Sequence, residues 1–464
     1  MIESVVQKMN GFLPNQFWQA YQLGLYEKVC QQKFYLPIRQ IKTIRQLAAL
    51  KRFAVSEPRF MIGQLLDQHQ NDKWFKIIIK ELSPVYPKIV FDYLQNHFDQ
   101  LPRRPWLSQI YFALSLEYGQ IRHELMAELD SDERLLFLSN LTIDRQQKRT
   151  LFNEYLQRFD LLPLTDGDGF GLDAFEFLST DSISSPHQVT ILVTAFNAAK
   201  TITSCLKSLL SQSWQNIQVI VIDDASTDDT TKIIHAFVKQ DKRITGIYLP
   251  KNVGTFVAKR IGASFATGEF LTCQDSDDFA HPQKIERQVL PLIDHPELIA
   301  TTSHWLRLDE CGRFYARQYY PFLRQNPASP LFRRQQVEQK IGLWHLVRTG
   351  ADSEFWHRLK LHYGDDRIMA IKKPLTIASH RADSLMNAGD FGVHDKASAL
   401  RRLDYWEAWN LWHIACLSKK RQPTMPSISE QIINPVFEVD ERLLVNPDDI
   451  RYNLENLTIE KQDD

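Results

Sequence analysis

Two short apolar runs in the sequence end abruptly in carboxylates, and these acidic residues carry the strongest chemical signal in the chain. One run ends in Asp223 and Asp224, and the other passes through Cys273 into a segment with three Asp in four residues, at positions 275, 277 and 278. Apolar runs rich in Val and Ile predict buried strands. Charged side chains leave a core, so these carboxylates are expected at strand ends, where open α/β sheets bind ligands.

The three carboxylates of Asp275, Asp277 and Asp278 repel one another unless a cation lies among them. Hard cations prefer such oxygen ligands, and Mg²⁺ typically uses one or two carboxylates together with substrate phosphates. The spacing therefore predicts a metal–diphosphate site at the end of a strand.

Other polar groups are expected at the same edge of the sheet. The segment from Thr194 to Asn197 ends one strand and opens a helix, whose unpaired backbone N–H groups suit an anion or the edge of a base. One of the two carboxylates at 223–224 is expected to accept the imide N–H of a uracil, while the other caps the next helix. The turn 252–254 is followed by Lys259 and Arg260, which offer positive charge to a diphosphate. Neither a dinucleotide-binding glycine motif nor a P-loop is present.

Alternating strands and helices must position these groups. This order predicts a largely parallel sheet with right-handed crossovers and helices on both faces. The expected strands are Val189–Val193, Val219–Ile222, Ile244–Leu249 and Phe270–Cys273, and the expected helices are Thr201–Ser211, Thr230–Lys239, Phe256–Ala266 and Ser353–Leu361.

The first third of the chain, from about Asn15 to Leu162, has apolar residues at helical spacing and predicts an all-α domain. Arg39, Lys42 and Arg45 stand three apart there, so a helix would place them on one face. This face is either a solvated basic surface or a patch that binds anionic lipid or an acidic glycan. The predicted organisation is an all-helical domain at 1–164, a linker at 165–186, an α/β domain at 187–400, and a C-terminal helix and tail at 401–464. Three Trp at i+3 spacing in that late helix indicate packing rather than a membrane-facing surface.

Bulk composition excludes several classes of protein. The 464 residues carry a formal net charge of −1, so no global field favours nucleic acid as a partner. The five cysteines are dispersed, which suits a reducing compartment and argues against a disulfide framework or a zinc site. The N-terminus lacks the pattern of a signal peptide, and no apolar run is long enough to span a bilayer. A cytoplasmic location is expected, with peripheral association at the inner face of the membrane as a further option.

In their shared order, these motifs resemble the nucleotide-binding half of an inverting family 2 glycosyltransferase with a GT-A fold. The resemblance covers His187 to about His304 and rests on the segments 223–228, 252–254, 268–269 and 275–278. It departs from the family at Ala258-Lys259-Arg260, where many members have Ala-Arg-Asn. A thinner resemblance continues into the segments 350–359 and 380–385.

The resemblance implies transfer of a sugar from a UDP-sugar to a hydroxyl of a glycan or lipid-linked acceptor, in bacterial surface polysaccharide synthesis. Asp352 would be the general base, although Ala351 stands where the family usually has Glu, and Asp352 is equally suited to cap its helix. His380 would complete the shell of a Mn²⁺ or Mg²⁺ ion with Asp277 and Asp278, or be a structural histidine. The implied nucleotide-binding residues are Thr194, Ala195, Phe196, Asn197, Asp223, Asp224, Asn252, Gly254, Lys259, Asp275 and Ser276.

Two other functions stay open. A nucleotidyltransferase also builds a metal–nucleotide site on an α/β sheet, but it usually has a Gly-rich basic loop after the first strand. A catalytically inactive scaffold is the other alternative, and Ala351 is the feature that favours it. The helical domain is expected to bind the acceptor, a partner glycosyltransferase, the membrane surface or a second copy of the chain.

Overall fold

The computed structural model describes residues 14–32, 39–119, 121–129, 131–179, 181–316, 319–381, 392 and 395–462. The predicted outer domain limits, residues 1 and 464, lie outside this part of the chain. Among the described residues, no helix combines the length and the apolar character that crossing a bilayer requires.

The N-terminal region is all-helical, as predicted. The helices are α1 (Pro14–Gln22), α2 (Tyr26–Gln31), α3 (Arg39–Lys51), α4 (Pro58–His69), α5 (Lys73–Leu82), α6 (Pro87–His97), α7 (Pro105–Tyr118), α8 (Ser131–Leu141) and α9 (Arg145–Gln157). Prolines begin α4, α6 and α7, where their missing N–H groups leave no helical hydrogen bond unmade.

One mixed, mostly parallel sheet forms the second region. The strands are β1 (Val189–Ala195), β2 (Ile217–Asp223), β3 (Ile244–Tyr248), β4 (Phe270–Asp275), β5 (Phe279–Ala280), β6 (Ala300–Asp309), β7 (Phe314–Tyr315), β8 (Arg324–Gln325), β9 (Leu331–Arg333), β10 (Ile368–His380) and β11 (Thr458–Lys461). Their order is β11-β3-β2-β1-β4-β9-β6-β10-β5, with β7 and β8 paired to β6. The strands β1 to β4 are mutually parallel, and β10 is parallel to β6.

Helices cover both faces of this sheet, which confirms the expected α/β architecture. They are α10 (Ile202–Leu210), α11 (Thr230–Gln240), α12 (Thr255–Ala263), α13 (Lys284–Asp294), α14 (Arg334–Ile341), α15 (Ala351–Tyr363), α16 (Lys396–Ser418), α17 (Ile428–Ile433) and α18 (Pro447–Asn456). The four predicted strands and the helices between them lie within two or three residues of their expected bounds. The long strands β6 and β10 were not predicted.

The helical domain packs on the sheet through one continuous apolar core. Side chains of β6, β7 and β10, including Leu306, Phe314 and Ile377, are buried in the same cluster as the helix interiors. Asn140 of α8 donates to the backbone oxygen of Phe314 at 2.8 Å and accepts its N–H at 2.7 Å. The segment predicted as a linker is also packed, since its Phe170 is buried in that cluster.

The C-terminal region wraps around the opposite edge of the sheet. Part of the predicted C-terminal tail is structured: the strand β11 pairs with the edge strand β3, and residues 447–456 are helical. The tryptophan stripe of α16 is packing, as predicted: Trp409 is fully buried, and Trp406 donates its indole N–H to the backbone oxygen of Leu23 at 2.9 Å.

Candidate functional site

The carboxyl ends of β1, β2 and β4 form one edge that gathers most of the predicted residues. Strand register aligns Ala195 with Asp223 and Thr194 with Asp275. The hydroxyl of Thr194 lies 2.7 Å from that of Thr255, at the start of α12. Parallel strands bring residues distant in sequence to a common edge, which is why the sequence pattern located this site.

Asp224 holds the turn that contains Asn252 and Gly254. Its two carboxylate oxygens accept the N–H groups of Val253 at 2.8 Å and of Gly254 at 2.7 Å. Asn252 donates to the backbone oxygen of Asp224 at 3.1 Å. Gly254 has a φ of +78°, which a side chain would strain. Burial raises the pKa of Asp224 to about 7, and the two N–H groups oppose that rise.

A second set of hydrogen bonds joins the ends of β1 and β2. Asn197, with a φ of +50°, accepts the N–H of Thr227 at 2.8 Å and donates its own N–H to the hydroxyl of Ser226 at 3.0 Å. Asp223 accepts the N–H of Ser226 at 3.0 Å and the hydroxyl hydrogen of Thr231. Both Asn197 and Asp223 therefore shape the rim of the site.

Phe196 is an exposed aromatic residue at this edge. Its side chain follows the buried Ala195, yet 51% of Phe196 is accessible. An accessible aromatic ring at a strand end presents a flat apolar surface to a planar ligand.

The three carboxylates after β4 lie in a tight turn. Ser276 and Asp277 form the turn, and the N–H of Asp278 closes it on the backbone oxygen of Asp275 at 3.1 Å. Asp278 is buried and accepts the N–H of Ser379, at the end of β10, at 2.9 Å. This bond fixes the acidic turn to the far half of the sheet.

The charges of this turn are only partly compensated. Lys259, buried on α12, donates to Asp275 at 3.0 Å; burial lowers the pKa of Lys259, but the carboxylate outweighs burial and the net shift is upward. Burial raises the pKa of Asp277, with a further rise from Asp275 and opposition from Arg381. Burial and the two neighbouring carboxylates raise the pKa of Asp278 well above its ordinary value. Excess negative charge with oxygen donors suits a hard cation.

The side chains around the acidic turn limit the kind of metal ion that could bind there. Within the described ranges, no three His, Cys, Asp or Glu side chains are arranged to hold a metal ion. The ring of His380 stacks on Tyr315, with centroids 3.7 Å apart. The site therefore suits a cation that takes one or two carboxylates and completes its shell with ligand oxygens, as Mg²⁺ does. Metal binding by Asp277, Asp278 and His380 stays a prediction.

Asp352 lies in the first turn of α15, which begins at Ala351. Gly350 occupies the N-cap position, so the interpretation of Asp352 as the helix N-cap is wrong. Its carboxylate accepts the N–H of Ser353 at 2.7 Å. The negative charge of Asp352 also contributes to the raised pKa of Lys259, which indicates that Asp352 is near the acidic turn.

Glu354, two residues after Asp352 on α15, points into the protein interior and not towards solvent. It is fully buried and pairs with Arg358 at 2.7 Å and with His413 of α16 at 3.0 Å. Burial raises the pKa of Glu354, but the attraction of Arg358 and the bond from His413 outweigh burial and lower it to about 2. Arg358 also donates to backbone oxygens of residues 341–343.

Sequence reasoning missed two residues that support the site. Arg348 donates to the side-chain oxygen of Asn252 at 3.1 Å. Asn453 of α18 accepts the N–H of Lys251 at 3.0 Å and donates to its backbone oxygen at 2.9 Å. No local spacing signals either contact, because the partners are far apart in the chain.

Comparison with known proteins agrees with this geometry. Residues 190–351 match the family model described as glycosyl transferase family 2. This part of the chain therefore matches a family 2 glycosyltransferase domain, and it includes every predicted site residue except Asp352 and His380.

Curated relatives match the same region. The chain is 32% identical over 128 residues to glycosyltransferase GlyG of Streptococcus pneumoniae, covering 27% of this chain and 42% of the relative. It is 31% identical over 131 residues to the putative glycosyltransferase EpsE of Bacillus subtilis, covering 28% and 47%. The matches thus span less than half the length of these relatives. Among solved structures, S. aureus TarS 1–349 in complex with UDP-GlcNAc is 19% identical, with a TM-score of 0.38 and coverage of 53% and 76%.

Proposed function

We propose that the chain transfers a sugar from a nucleoside diphosphate sugar, namely a UDP-sugar, to a hydroxyl of a glycan or lipid-linked acceptor. The observation that carries this proposal is the gathering of Asp224, Asp275 and Asp277 at one edge of a family 2 glycosyltransferase domain. As the family resemblance implies, the acceptor would belong to a bacterial surface polysaccharide, and the reaction would take place in the cytoplasm.

The nucleotide would lie across the ends of β1 and β2. In this arrangement the base contacts the exposed ring of Phe196 and the turn held by Asp224. Both oxygens of Asp224 already accept backbone N–H groups, so a uracil imide would use a remaining lone pair. Lys259 and the backbone near Asn197 would supply positive charge and N–H donors to the nucleotide.

Asp275 and Asp277 would hold a Mn²⁺ or Mg²⁺ ion. A bound cation would supply positive charge to the departing diphosphate. Asp278 is engaged with the N–H of Ser379, so its role would be to fix the turn rather than to offer a free carboxylate. These residues would thus hold the diphosphate at the edge of the sheet where β4 ends.

Asp352 would accept the proton of the acceptor hydroxyl as its oxygen attacks the anomeric carbon. The bond to the diphosphate breaks as the new glycosidic bond forms, on the opposite face of the sugar. A single displacement of this kind inverts the anomeric configuration.

Thermal unfolding with UDP, GDP, CDP and ADP, each with and without Mn²⁺, tests the proposal. A ligand that binds only the native state, at one hundred times its Kd, adds about 2.7 kcal/mol to stability. The expected result is a stabilisation by UDP that requires Mn²⁺ and disappears in Asp277→Ala. As a matched control, Asp365→Ala alters an exposed carboxylate and should retain the full shift.

Two outcomes would contradict the proposal. No stabilisation by any nucleotide, from a well-folded sample, would favour the scaffold function. In the same assay with UTP, GTP, CTP and ATP, stabilisation by a nucleoside triphosphate and not by UDP would favour a nucleotidyltransferase.

A further inference from the structure

The outward face of α5 carries a row of lysines. Lys73, Lys76 and Lys80 stand at i, i+3 and i+7, and all three are exposed. The opposite face of α5 is buried in the helical core through Trp74, Phe75, Ile78, Ile79 and Leu82. Like charges at i and i+4 destabilise an isolated helix, so this row is unfavourable unless an anion lies on it.

The row belongs to the most basic stretch of the chain. Residues 39–80 contain nine Lys or Arg and three Asp or Glu, a net charge of +6 in a chain whose formal net charge is −1. Within the parts of the chain that the structure describes, none of the three lysines has a carboxylate within 4 Å. The neighbouring carboxylate of Glu81 pairs with Lys51 at 2.9 Å instead.

The positive surface continues into the catalytic domain. Partial burial lowers the pKa of Lys80, and the positive charges of Lys76 and Arg324 lower it further, so the charge of Arg324 reaches this end of the row. The guanidinium of Arg324 itself donates to the backbone oxygens of Pro321 at 3.0 Å and of Tyr320 at 3.3 Å. Arg324 of β8 is the register partner of Trp305 on β6, which places both side chains on one face of the sheet. The guanidinium of Arg307 lies 4.4 Å from the centre of the Trp305 ring.

Arg307 links this surface to the acidic turn. It is the register partner of Ala378 on β10, next to Ser379, whose N–H donates to Asp278 at 2.9 Å. Its positive charge also opposes the rise in pKa of both Asp277 and Asp278. A basic track, defined by Lys73, Lys76, Lys80, Arg324 and Arg307, therefore leads from the helical domain along β6 to the candidate site.

We propose that this basic track binds the acceptor, and that the acceptor is a polyanionic glycan bearing carboxylates or phosphates along its length. This inference rests on the proposed function, because the track is assigned to the acceptor through its end at the transfer site. The lysine row spans about 10 Å along the helix axis, at 1.5 Å per residue. Several charges of an extended polymer would contact it at once, while the reacting hydroxyl lies beside Asp352.

A membrane surface fits the row less well. A helix that lies in a membrane interface presents an apolar face to the lipid. The apolar face of α5 is buried instead, and none of its described side chains is among the exposed large hydrophobics. The basic track also continues along β6 to the candidate site, which a surface for membrane binding would not need to do.

Binding of fluorescently labelled oligogalacturonate and of inorganic polyphosphate to the full chain tests this proposal, with neutral dextran as the uncharged glycan. We expect binding of one or both polyanions, no binding of dextran, and an affinity that falls steeply with added salt because the contacts are ionic. The double variant Lys76→Glu/Lys80→Glu should weaken binding about tenfold or more. Lys76→Gln/Lys80→Gln should weaken it less. UDP binding in both variants should equal that of the original chain.

The matched control is Lys207→Glu/Lys242→Glu, which reverses two exposed charges outside the track. Equal weakening by the control, or no binding of either polyanion by a well-folded chain, would overturn the proposal. Binding to vesicles containing phosphatidylglycerol, without binding to soluble polyanions, would identify a membrane surface instead. If the original chain does not bind UDP, the result counts against the proposed function. If it binds UDP but neither polyanion, the result counts against the basic track alone.

Discussion

The two halves of the catalytic sheet are stabilised in different ways. The half β3-β2-β1-β4, to which the proposed function assigns the nucleotide donor, is called the donor half here. Its site loops are tied mainly by side chains of the same segment, such as Asp224 to the N–H groups of Val253 and Gly254. The half β9-β6-β10-β5, to which the proposed function assigns the acceptor, is called the acceptor half here. It is tied to distant parts of the chain, whereas the distant elements that reach the donor half, β11 and Asn453, belong to the C-terminal region. Asn140 of the helical domain binds Phe314 beside β6, and His413 of α16 binds Glu354 in α15.

This difference assigns a structural role to the additional domain. Its core is continuous with side chains of β6, β7 and β10, so the acceptor half has no apolar interior of its own on that face. The two halves should therefore respond differently to substitution.

The largest effect is expected at Asp352, between the halves. Asp352→Asn should lower the rate of UDP release from the donor about 10²- to 10⁴-fold, because the general base is lost. Nucleotide binding should not change, since the donor half is untouched. Steady-state kinetics with calorimetric nucleotide titration would separate these effects. Asp365→Asn, at the far end of α15, is the control, and a weakened nucleotide affinity in Asp352→Asn would break the division between halves.

Glu354→Gln should have the next largest effect, on stability. It leaves the buried Arg358 without its counter-charge, and breaking a buried ion pair costs about 3–5 kcal/mol. Chemical unfolding would measure the loss. Glu338→Gln, which breaks an exposed pair with Arg334, should cost less than about 1 kcal/mol. Similar losses in both variants would show that the network is not a main support of the acceptor half.

His281 tests the junction of the helical domain with the acceptor half. Its ring contacts the backbone oxygen of Leu162 at 3.1 Å and accepts the N–H of Gln283 at 3.2 Å. Burial lowers the pKa of His281 from 6.5 to about 4, so the folded state binds its proton less readily than the unfolded state. The stability that neutral His281 contributes is present above about pH 6.5 and is lost as the pH falls towards 4.

Unfolding by urea at pH 7.5 and 5.0 measures this effect. The original chain should lose about 2 kcal/mol more than His281→Asn over this interval, at about 1.4 kcal/mol per pH unit. The exposed His295 supplies the control, and His295→Asn should retain the pH dependence of the original chain. An unchanged pH dependence in His281→Asn would contradict the assignment.

The smallest effect is expected at Asn453, the long-range tie of the donor half. Asn453→Ala removes two hydrogen bonds to Lys251 and should destabilise the turn by about 1–2 kcal/mol. Nucleotide affinity should fall severalfold while the rate at saturating donor is unchanged. Asn456→Ala on the same helix is the control. A fall in the saturated rate, with affinity unchanged, would show that this turn does not serve the donor half.

Much of the donor half could be predicted because its signals are local. A parallel strand buried on both faces appears as a continuous apolar run, and β1 is buried at every position. The acidic residues after β2 and β4 mark the ends of such runs, so their common edge follows from the topology. The glycine at position 254 indicated a turn at 252–254. The hydrogen bonds between Lys251 and Asn453 of α18 had no signal in the sequence.

The acceptor half could not be predicted to the same extent because its contacts join distant segments. Glu354 and His413 are 59 residues apart, and Asn140 and Phe314 are 174 residues apart. A glutamate in the first turn of a helix normally faces water, and only the packing of α16 against α15 buries this one. The helical domain likewise had a clear secondary structure but no sequence signal for where it packs.

The amino-acid sequence by itself determined the alternation of strands and helices, the all-helical first domain and the edge at which the carboxylates meet. Strand and helix periodicity and chain order encode these features locally. Only the tertiary structure decided that Glu354 is buried in an ion pair, that Asn453 supports the turn at Lys251, and that the helical domain shares its core with β6 and β10. Burial and electrostatic shifts depend on which distant groups surround a side chain, and packing of the whole chain selects those neighbours.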